Sequence, residues 1–472
     1  MSPGISAGTS RSHARCSLRW RCLDLELRAP TLPLQHNRSA PVSRFGYLMN
    51  GFQMASQARK LDILILGLNY APEKIGVAVY TAGLAETLAA RGHLIRVVAG
   101  KPYYPSWSVQ PGFRSGWRRK GVENGVELTR VAHYVPSRPS GVQRILHHVS
   151  FALSALMPAV RAAVVRHPDL VVTIAPSLIS APVAKFAGWV SGAKTWIHIQ
   201  DFEVETAIAT GLVKRQCLVG LALRIEAAML KRFDRISSIS PAMCRKCIAK
   251  GVLSHRVVEF RNWADIDGVR PLVGQSPYRS EWGVSTPHVA LYSGNIANKQ
   301  GIDLVVEAAQ RMRHRSDLTF VVCGEGPNRA SLEAKAAALS NIVFRDLQPR
   351  ERLSELLGLA TVHLLPQLAD AADLVLPSKL TNMLASGRPI IATAHPGTSL
   401  AEEVEGCGLV VPPSEPLAFV AAIAHLLDNP EERTALGAAA RARAEHRWVQ
   451  SAIINGFERE ALSLVRGVST RR

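Results

Sequence analysis

A serine and a lysine stand side by side at Ser378 and Lys379, in the stretch LPSKLTNMLASGRPIIAT (residues 376–393). The pattern predicts that a short helix begins here and is ended early by Gly387 and Pro389. Serine is a favourable N-cap residue, and the first backbone N–H groups of a helix carry about half a positive charge. Lys379 adds a full charge. The pair is therefore expected to bind a phosphate or diphosphate group.

Two further loops follow predicted strands in the same half of the chain. The loop GNIANKQG (294–301) offers Lys299 and Gln300 as hydrogen-bond donors, and the loop GEGPN (324–328) places glycines on both sides of Glu325. Each feature has a plain structural interpretation: a turn, a helix cap or a solvated surface charge. Their joint occurrence at strand ends is what indicates a binding site, because open α/β sheets bind ligands at the carboxyl ends of their strands.

The elements that would position these loops alternate regularly. Apolar runs such as LDILILG (61–67) and VALYSG (289–294) are typical of strands buried on both faces of a parallel sheet, and each is followed by a segment with helical spacing. A stretch rich in Gly, Pro and Ser (273–288) separates two such series. The sequence predicts an α/β protein with two doubly wound, Rossmann-like parallel-sheet domains, 61–270 and 271–445, facing a central cleft.

Composition limits the choice of partners. The chain has 472 residues, 47% of them hydrophobic, and a formal net charge of +19, which favours a polyanion: nucleic acid, anionic lipid or phosphorylated small molecules. Its seven cysteines are scattered, and Cys244 and Cys247 form a lone CxxC that favours structural thiols over a zinc or redox site. No uninterrupted apolar stretch approaches the length of a transmembrane helix, so a soluble or peripheral protein is expected.

Residues 1–60 differ from the rest of the chain. They are rich in arginine, have no helical or strand periodicity and lack the apolar core of a secretory signal. Two interpretations are open: a disordered leader, or a start codon assigned too early, since Met49 and Met54 stand just before the regular pattern.

The segment 103–121 interleaves aromatic and basic residues, among them Trp107, Trp117, Arg118 and Arg119. Such a mixture suits single-stranded nucleic acid, a bilayer interface or a folded loop with core aromatics. We favour an anionic membrane surface over nucleic acid, with the apolar segment 145–165 assisting.

Four segments together resemble a known family: YAPEKIGVAVYTAGLAETLAARGHLIRVVAG, YSGNIANKQGIDLVVEAA, VVCGEGPNRASLE and LPSKLTNMLASGRPIIATA. They resemble a retaining GT-B glycosyltransferase of family 4, in the colanic-acid (exopolysaccharide), fucosyltransferase-like branch. The resemblance runs from about Leu61 to about Trp448. It implies a first domain that binds the acceptor, a second domain that binds a nucleotide sugar linked to UDP or GDP, no metal or other cofactor, and a C-terminal segment (446–472) that packs back on the first domain.

The resemblance also assigns residues. Gly76 matches the glycine beside which donor phosphate and acceptor meet. His198 and Asp201, in WIHIQDFE, match a His/Asp pair that faces the reacting sugar. Gly324 and Glu325 match the loop near the base, and Ser378 and Lys379 match the turn that faces the diphosphate.

The chain departs from the family pattern at two places. Asn295 and Gln300 occupy the slots of the usual Arg and Lys, with Lys299 adjacent, and the paired glutamates correspond to about Leu374 and Asn382, with Asp373 the only nearby acid. We interpret Lys379 and Lys299 as taking over the diphosphate charge, and Asn382 as binding ribose or sugar hydroxyls.

The resemblance implies retaining transfer of a sugar to a polyprenyl-diphosphate-linked saccharide, in the cytoplasm at the inner face of the membrane. Two alternatives stay open: a sugar-nucleotide epimerase of similar architecture, and a non-catalytic scaffold of a polysaccharide assembly complex, which the missing glutamate pair suggests.

Overall fold

Two parallel sheets follow one another along the chain in the computed structural model, which describes residues 59–74, 76–137, 140–205, 216–297, 300–368 and 376–467. Helices cover both faces of each sheet. Apolar side chains of the strands and helices form buried clusters between them. The predicted α/β class with two Rossmann-like domains is therefore confirmed. Most of the leader lies outside the described residues.

The first sheet has eight strands within the described residues, in the spatial order β3-β4-β2-β1-β5-β6-β7-β8. Its strands are β1 (Asp62–Gly67), β2 (Leu94–Gly100), β3 (Arg118–Glu123), β4 (Val126–Val131), β5 (Leu170–Ala175), β6 (Lys194–Ile199), β7 (Arg235–Ser238) and β8 (Val257–Glu259). Its helices are α1 (Val77–Ala90), α2 (Gly141–Arg166), α3 (Ala181–Ser191), α4 (Gln216–Leu230) and α5 (Pro241–Ala249), with single 3-10 turns at Leu178–Ser180 and Ser254–Arg256. The central strand β1 is almost wholly apolar because it is buried on both faces.

One edge of this sheet was not expected from the sequence. Strand β3 pairs antiparallel with β4, with Arg118 opposite Val131 and Glu123 opposite Val126. The segment 103–121, for which the sequence left open a membrane surface, nucleic acid or a folded loop, therefore ends in an edge strand whose residues are all exposed. A charged edge strand of this kind protects the sheet against pairing with another chain.

The second sheet has six strands within the described residues, in the order β11-β10-β9-β12-β13-β14. These are β9 (His288–Ser293), β10 (Leu318–Cys323), β11 (Ile342–Arg345), β12 (Val362–Leu365), β13 (Ile390–Thr393) and β14 (Gly408–Val411). Its helices are α6 (Tyr278–Glu281), α7 (Asp303–Arg311), α8 (Arg329–Ala336), α9 (Leu353–Gly358), α10 (Lys379–Ala385), α11 (Ser399–Val404), α12 (Pro416–Asp428) and α13 (Pro430–Arg447), with a 3-10 turn at Arg350–Arg352. Helix α6 lies inside the stretch interpreted as a linker.

The chain returns to the first domain after α13. Helix α14 (Gln450–Arg466) buries Ile454, Phe457 and Ala461 in the same apolar cluster as β1 and α1. The ring of Phe457 lies 4.6 Å from that of Trp196 in β6 and 5.1 Å from that of Phe260. The C-terminal helix is thus an integral layer of the first domain.

Helix α2 is long and apolar enough, by length and composition, to cross a membrane, and it is the one such helix among the described residues. The sequence had suggested none, because polar residues interrupt the apolar run. Only 28% of its most apolar stretch is buried, yet one side of the helix packs across β1, β2 and β4 through alanines.

The packing of α14 predicts the effect of a truncation in this layer. We expect Phe457→Ala to lower the free energy of unfolding by about 3–5 kcal/mol, because a buried aromatic side chain is replaced by a cavity. Urea unfolding followed by circular dichroism measures this. Asn455→Ala, on the exposed side of the same helix, is the matched control and should change stability little; equal effects of the two substitutions would contradict the docking described here.

Candidate functional site

A cavity of about 770 Å³ lies between the two sheets, within the size range of small-molecule sites. The first domain contributes the loop after β1 and the start of α1, and the second contributes the start of α10 and the segment between β11 and α9. The segments that join the domains close its floor. The lining includes Lys74, Gly76, Tyr80, Trp263, Asp265, Arg350, Ser378, Lys379, Asn382 and Gln450.

Gly76 is the residue immediately before α1, and its φ of 67° lies in the region that favours glycine. A Cβ built there would meet nothing within 4 Å, so backbone conformation, rather than crowding by protein atoms, explains the glycine. The structure therefore places Gly76 at the cavity, across from Ser378 and Lys379.

Ser378 occupies the N-cap position of α10, as expected, but its side chain makes no capping hydrogen bond. Its carbonyl oxygen accepts from the hydroxyl of Thr381 instead, at 3.0 Å. The ammonium of Lys379 lies 3.9 Å from the centroid of the Tyr292 ring at the end of β9, a cation–π contact that orients the side chain. The side chain of Lys379 therefore extends from α10 towards the carboxyl end of β9.

Glycines allow the loops after β9 and β10 to lie against each other. Gly324 has a φ of 152°, and a Cβ there would lie 1.9 Å from the carbonyl oxygen of Gly294. Gly294 in turn faces Lys379, whose Cδ would be 3.2 Å from a Cβ at position 294. The glycines thus leave the space through which Lys379 passes.

The other residues predicted to bind the donor in these loops differ in exposure and in hydrogen-bond partners. Asn295 is exposed, and its carbonyl oxygen accepts from the Tyr292 hydroxyl at 2.6 Å. Glu325 is exposed and paired with Arg329 at 2.9 Å. The side-chain oxygen of Gln300 is buried and has no hydrogen-bond partner among the described residues. Lys299 and Asp373 lie outside the described residues.

Asn382 has a role that the sequence did not suggest. Its side-chain oxygen accepts a hydrogen bond from the backbone N–H of Asp265 at 3.0 Å, which ties α10 to the segment leaving the first domain. It still lines the cavity. This oxygen thus makes a contact between the domains, and the expected binding of ribose or sugar hydroxyls by Asn382 stays a prediction.

The structure places His198 inside the first sheet, and its expected catalytic role stays a prediction. The residue is buried in β6, with Nδ1 2.9 Å from the Ser237 hydroxyl and its ring 4.9 Å from that of Phe260. Burial lowers its pKa to about 3, so the imidazole is neutral. His198, like Asp201 and Glu203, does not line the cavity. The alternation of strand residues explains this, because His198 points into a helix-covered face of the sheet.

Asp201 lies beyond the carboxyl end of β6 and is partly exposed, close to a second carboxyl group, Glu203. Burial, and then the charges of Asp201 and Glu226, raise the pKa of Glu203 to about 7, although the Leu178 N–H donates to it at 2.7 Å. His148 Nε2 lies 3.6 Å from its other oxygen. The strand ends of the first domain therefore carry a carboxyl group that is partly protonated at neutral pH.

Glu73 organises the loop that follows β2. One of its oxygens accepts from the backbone N–H groups of Tyr103 and Tyr104, each at 2.8 Å, and the other accepts from the Asn69 side chain at 2.9 Å. Burial raises the pKa of this carboxyl group, and the hydrogen bonds counteract that shift. Glu73 thus attaches the aromatic segment to the loop that ends at Gly76.

Trp107 belongs to a cluster of aromatic and histidine rings. Its ring lies 5.3 Å from that of Tyr103 and 5.4 Å from that of His147, and the Arg144 guanidinium lies 5.7 Å above it. Burial is the main reason that the pKa of His148, beside this cluster, is lowered to about 4. Trp107 is therefore a partly buried packing residue and not an exposed anchor.

Trp117, Arg118 and Arg119, predicted with Trp107 to contact a membrane, lie elsewhere, at the exposed edge formed by β3 and the residue before it. The arginine guanidinium of Arg119 lies 5.3 Å from the ring of Phe113. Trp107 is thus half-buried whereas Trp117, Arg118 and Arg119 are exposed, and their predicted contact with a membrane stays a prediction.

Cys244 and Cys247 are free thiols on α5, and burial raises their pKa values to about 11 and about 12. Within the part of the chain that the structure describes, no group of three or more His, Cys, Asp or Glu side chains has an arrangement suited to a metal ion.

Sequence reasoning missed Glu73, Glu203 and Tyr80. Tyr80 lines the cavity and packs edge-on against Trp263, with ring centroids 5.1 Å apart. The sequence could have marked Glu73 and Glu203 as candidates, since both stand a few residues after an apolar strand. No local pattern could have marked Tyr80, because its neighbours come from distant parts of the chain.

The paired sheets, the cleft between them and the helix start facing Gly76 define the class of GT-B proteins. The family model "Glycosyl transferase 4-like domain" matches residues 76–263, and the model "Glycosyl transferases group 1" matches residues 276–443. The chain is 38% identical over 385 residues to WcaI of Escherichia coli (strain K12), named as a colanic acid biosynthesis glycosyl transferase, and the match covers 79% of this chain and 94% of that protein. The chain belongs to the GT-B glycosyltransferases of family 4.

Solved structures support the fold. The match to HepE of Anabaena, in complex with UDP, has a TM-score of 0.62 at 14% identity. It covers 85% of this chain and 100% of the HepE chain. Sucrose-phosphate synthase of Thermosynechococcus elongatus has a TM-score of 0.65 at 17% identity, with 86% of this chain and all of that one covered.

The contact between the two glycine loops predicts a destabilising substitution. We expect Gly324→Ala to lower the free energy of unfolding by about 1–3 kcal/mol, because the new Cβ would overlap the carbonyl oxygen of Gly294. Thermal unfolding measures this. Gly121→Ala on β3, where a Cβ meets nothing within 4 Å, is the control and should be close to neutral; a neutral Gly324→Ala would show that the loops are not in contact.

The raised pKa of Glu203 predicts a pH-dependent stability. Between its ordinary value of 4.5 and its folded value of about 7, the folded state binds more protons than the unfolded state, so Glu203 loses its stabilising effect as pH rises through this window. Glu203→Gln keeps an oxygen for the Leu178 N–H but cannot ionise. The variant should therefore gain in melting temperature relative to wild type between pH 4.5 and pH 8.

Scanning fluorimetry at both pH values measures that gain. Glu431→Gln, at an exposed position at the start of α13, is the control and should show no comparable change with pH. An identical pH dependence for Glu203→Gln and wild type would contradict the assignment.

Proposed function

We propose that this glycosyltransferase transfers a sugar, with retention, from a UDP- or GDP-linked donor to a polyprenyl-diphosphate-linked saccharide in exopolysaccharide biosynthesis of the colanic-acid type. The observation that carries the proposal is that Gly76 of the first domain and Ser378 and Lys379 of the second line the same cavity. The similarity to WcaI supports the pathway, and the UDP bound to HepE supports a nucleotide sugar as donor.

In this proposal the second domain holds the diphosphate. Lys379 brings a positive charge to the cavity, and the first backbone N–H groups of α10 add the positive end of the helix dipole. Preorganised charges of this kind stabilise a departing nucleoside diphosphate, which is usually the largest contribution to catalysis. With the charge met by protein groups, the proposed reaction takes place without a metal ion or other cofactor.

The first domain then holds the acceptor. The bond between the sugar C1 and the β-phosphate oxygen breaks, the acceptor hydroxyl oxygen bonds to C1 on the same face, and its proton passes to the departing phosphate. In this proposal Asp201, with the neighbouring Glu203, orients the acceptor hydroxyl, and His198 acts only through the strand that it packs in. Peripheral attachment at the inner face of the cytoplasmic membrane would bring the lipid-linked acceptor to this end of the sheet.

A thermal shift experiment on the full chain tests the donor site. A nucleotide at 100 times its Kd should stabilise the folded protein by about 2.7 kcal/mol. We expect either UDP or GDP to raise the melting temperature of wild type, and Lys379→Ala to lose most of that rise because the diphosphate loses its cationic partner.

Lys335→Ala is the matched control, since Lys335 is an exposed lysine of the same domain paired with Asp303 away from the cavity. A rise retained in Lys379→Ala, or lost equally in both variants, would place the diphosphate elsewhere. No rise with either nucleotide would contradict the donor site. Binding without release of nucleoside diphosphate from the sugar donor, in the presence of membranes, would favour the non-catalytic scaffold.

A further inference from the structure

Helix α2 buries mainly small residues, together with Phe151, and exposes most of its other large apolar residues. The inward face repeats alanine every three or four positions, and these side chains are buried against the sheet and α3: Ala152, Ala155, Ala159 and Ala163. The outward face carries Leu153, 68% exposed, and Met157, 72% exposed. An ordinary surface helix of a soluble domain has the opposite arrangement.

The exposed apolar surface continues along α2 and onto α3. On α2 it includes Val142, Ile145, Leu146, Leu156, Val164 and Val165. On α3, which packs beside α2, the rings of Phe186 and Trp189 are stacked 5.7 Å apart, and Trp189 is 77% exposed. We call these residues of α2 and α3 the apolar face. A contiguous exposed surface of this kind marks an interaction site.

The charged residues of α2 and α3 themselves all have one sign, although Glu203 lies beside His148 and Asp234 beside Lys185. Helices α2 and α3 contain no aspartate or glutamate, whereas Arg144, Arg161 and Arg166 are exposed on α2. Helix α2 also packs over β4, whose neighbour β3 presents the basic run 118–120 at the edge of the sheet. Long basic side chains beside an apolar surface suit anionic lipid headgroups, since their stems can lie along the apolar region while the charges reach the phosphates.

We propose that the apolar face inserts into the interfacial region of an anionic bilayer, with α2 lying along the membrane surface. The choice of a lipid surface as the occupant rests on the proposed function, because the acceptor proposed there is lipid-linked. A helix that crossed the bilayer would have to leave the sheet on which its alanines pack. An interfacial helix keeps that packing and buries only its outward side.

This orientation connects the membrane to the acceptor side of the cleft. The first turns of α2 carry His147, which lies against Trp107 and Tyr103, and Glu73 attaches that segment to the loop ending at Gly76. A saccharide whose lipid remains in the bilayer would therefore emerge beside the aromatic and histidine rings. The apolar face of α2 and α3 is thus connected to the loop before Gly76 through Tyr103 and Trp107.

Co-sedimentation of the full chain with vesicles tests the proposal, without nucleotide or acceptor. The vesicles contain equal parts of phosphatidylglycerol and phosphatidylcholine. Wild type should bind, and the double variant Leu153→Glu, Met157→Glu should bind about tenfold or more weakly, because two carboxylates enter the inserted surface. The control Leu417→Glu alters a residue that is 69% exposed on α12 and should bind as wild type.

The arginine-rich leader is present in every variant, so attraction of the leader to anionic lipid cannot produce a difference between them. Both substituted positions are exposed, and an unchanged melting temperature checks that the double variant is folded. Equal vesicle binding by the double variant and wild type would overturn the proposal. So would a wild type that does not bind vesicles and forms a dimer, by light scattering, that the double variant cannot form, since the apolar face would then join two copies of the chain.

Tryptophan fluorescence gives a second readout that needs no charge change. Brominated phosphatidylcholine in the vesicles should quench wild-type emission, and Trp189→Phe should remove most of that quenching, because Trp189 enters the bilayer. Quenching that is unchanged in Trp189→Phe would overturn the proposal. Nucleotide stabilisation is measured without lipid. A failure of vesicle binding would therefore not contradict the donor site, and a failure of nucleotide binding would not contradict membrane binding by the apolar face.

Discussion

The pairing of the two segments that cross between the domains is the contact on which the site depends. The backbone N–H of Ala264, leaving the first domain, donates to the carbonyl oxygen of Trp448, returning to it, at 2.8 Å. Beside this pair, the buried carboxylate of Glu403 lies 2.9 Å from both Arg261 and Arg447. Removing a partner would leave charge buried without compensation, which is costly. The joint therefore determines how far Gly76 lies from Lys379, although it contains none of the proposed reacting groups.

The two walls of the cavity are built by different means. The second domain brings backbone segments close together: glycines let neighbouring loops touch, and the Lys379 side chain uses the space that remains. The first domain instead uses a buried carboxylate, Glu73, to satisfy the backbone of an aromatic segment. The first arrangement suits a diphosphate, which is recognised by N–H groups and positive charge. The second leaves rings and carboxyl groups at the strand ends, which suit a saccharide and its hydroxyl groups.

The contacts of His198 and Asn382 could not be predicted from the motifs in which these residues stand. His198 stands one residue before the end of its strand, and the sequence cannot say whether an imidazole at that point turns towards the cleft or into the core. The structure turns it towards Ser237 and Phe260, on other elements. Asn382 has a suitable position, but its oxygen accepts from Asp265, a residue 117 positions away along the chain. Both outcomes depend on neighbours that are distant in sequence.

The sequence by itself determined the alternation of strand and helix, the division into two parallel-sheet domains and the start of α10 at Ser378 and Lys379, because apolar periodicity and helix-start signals are local. Tertiary structure alone decided the antiparallel edge strand β3, the inward burial of His198, the raised pKa of Glu203 and the outward direction of the large apolar residues of α2. Helix α2 shows why: it carries apolar residues on more than one side, and packing against the sheet decides that the alanines and Phe151 form its buried side.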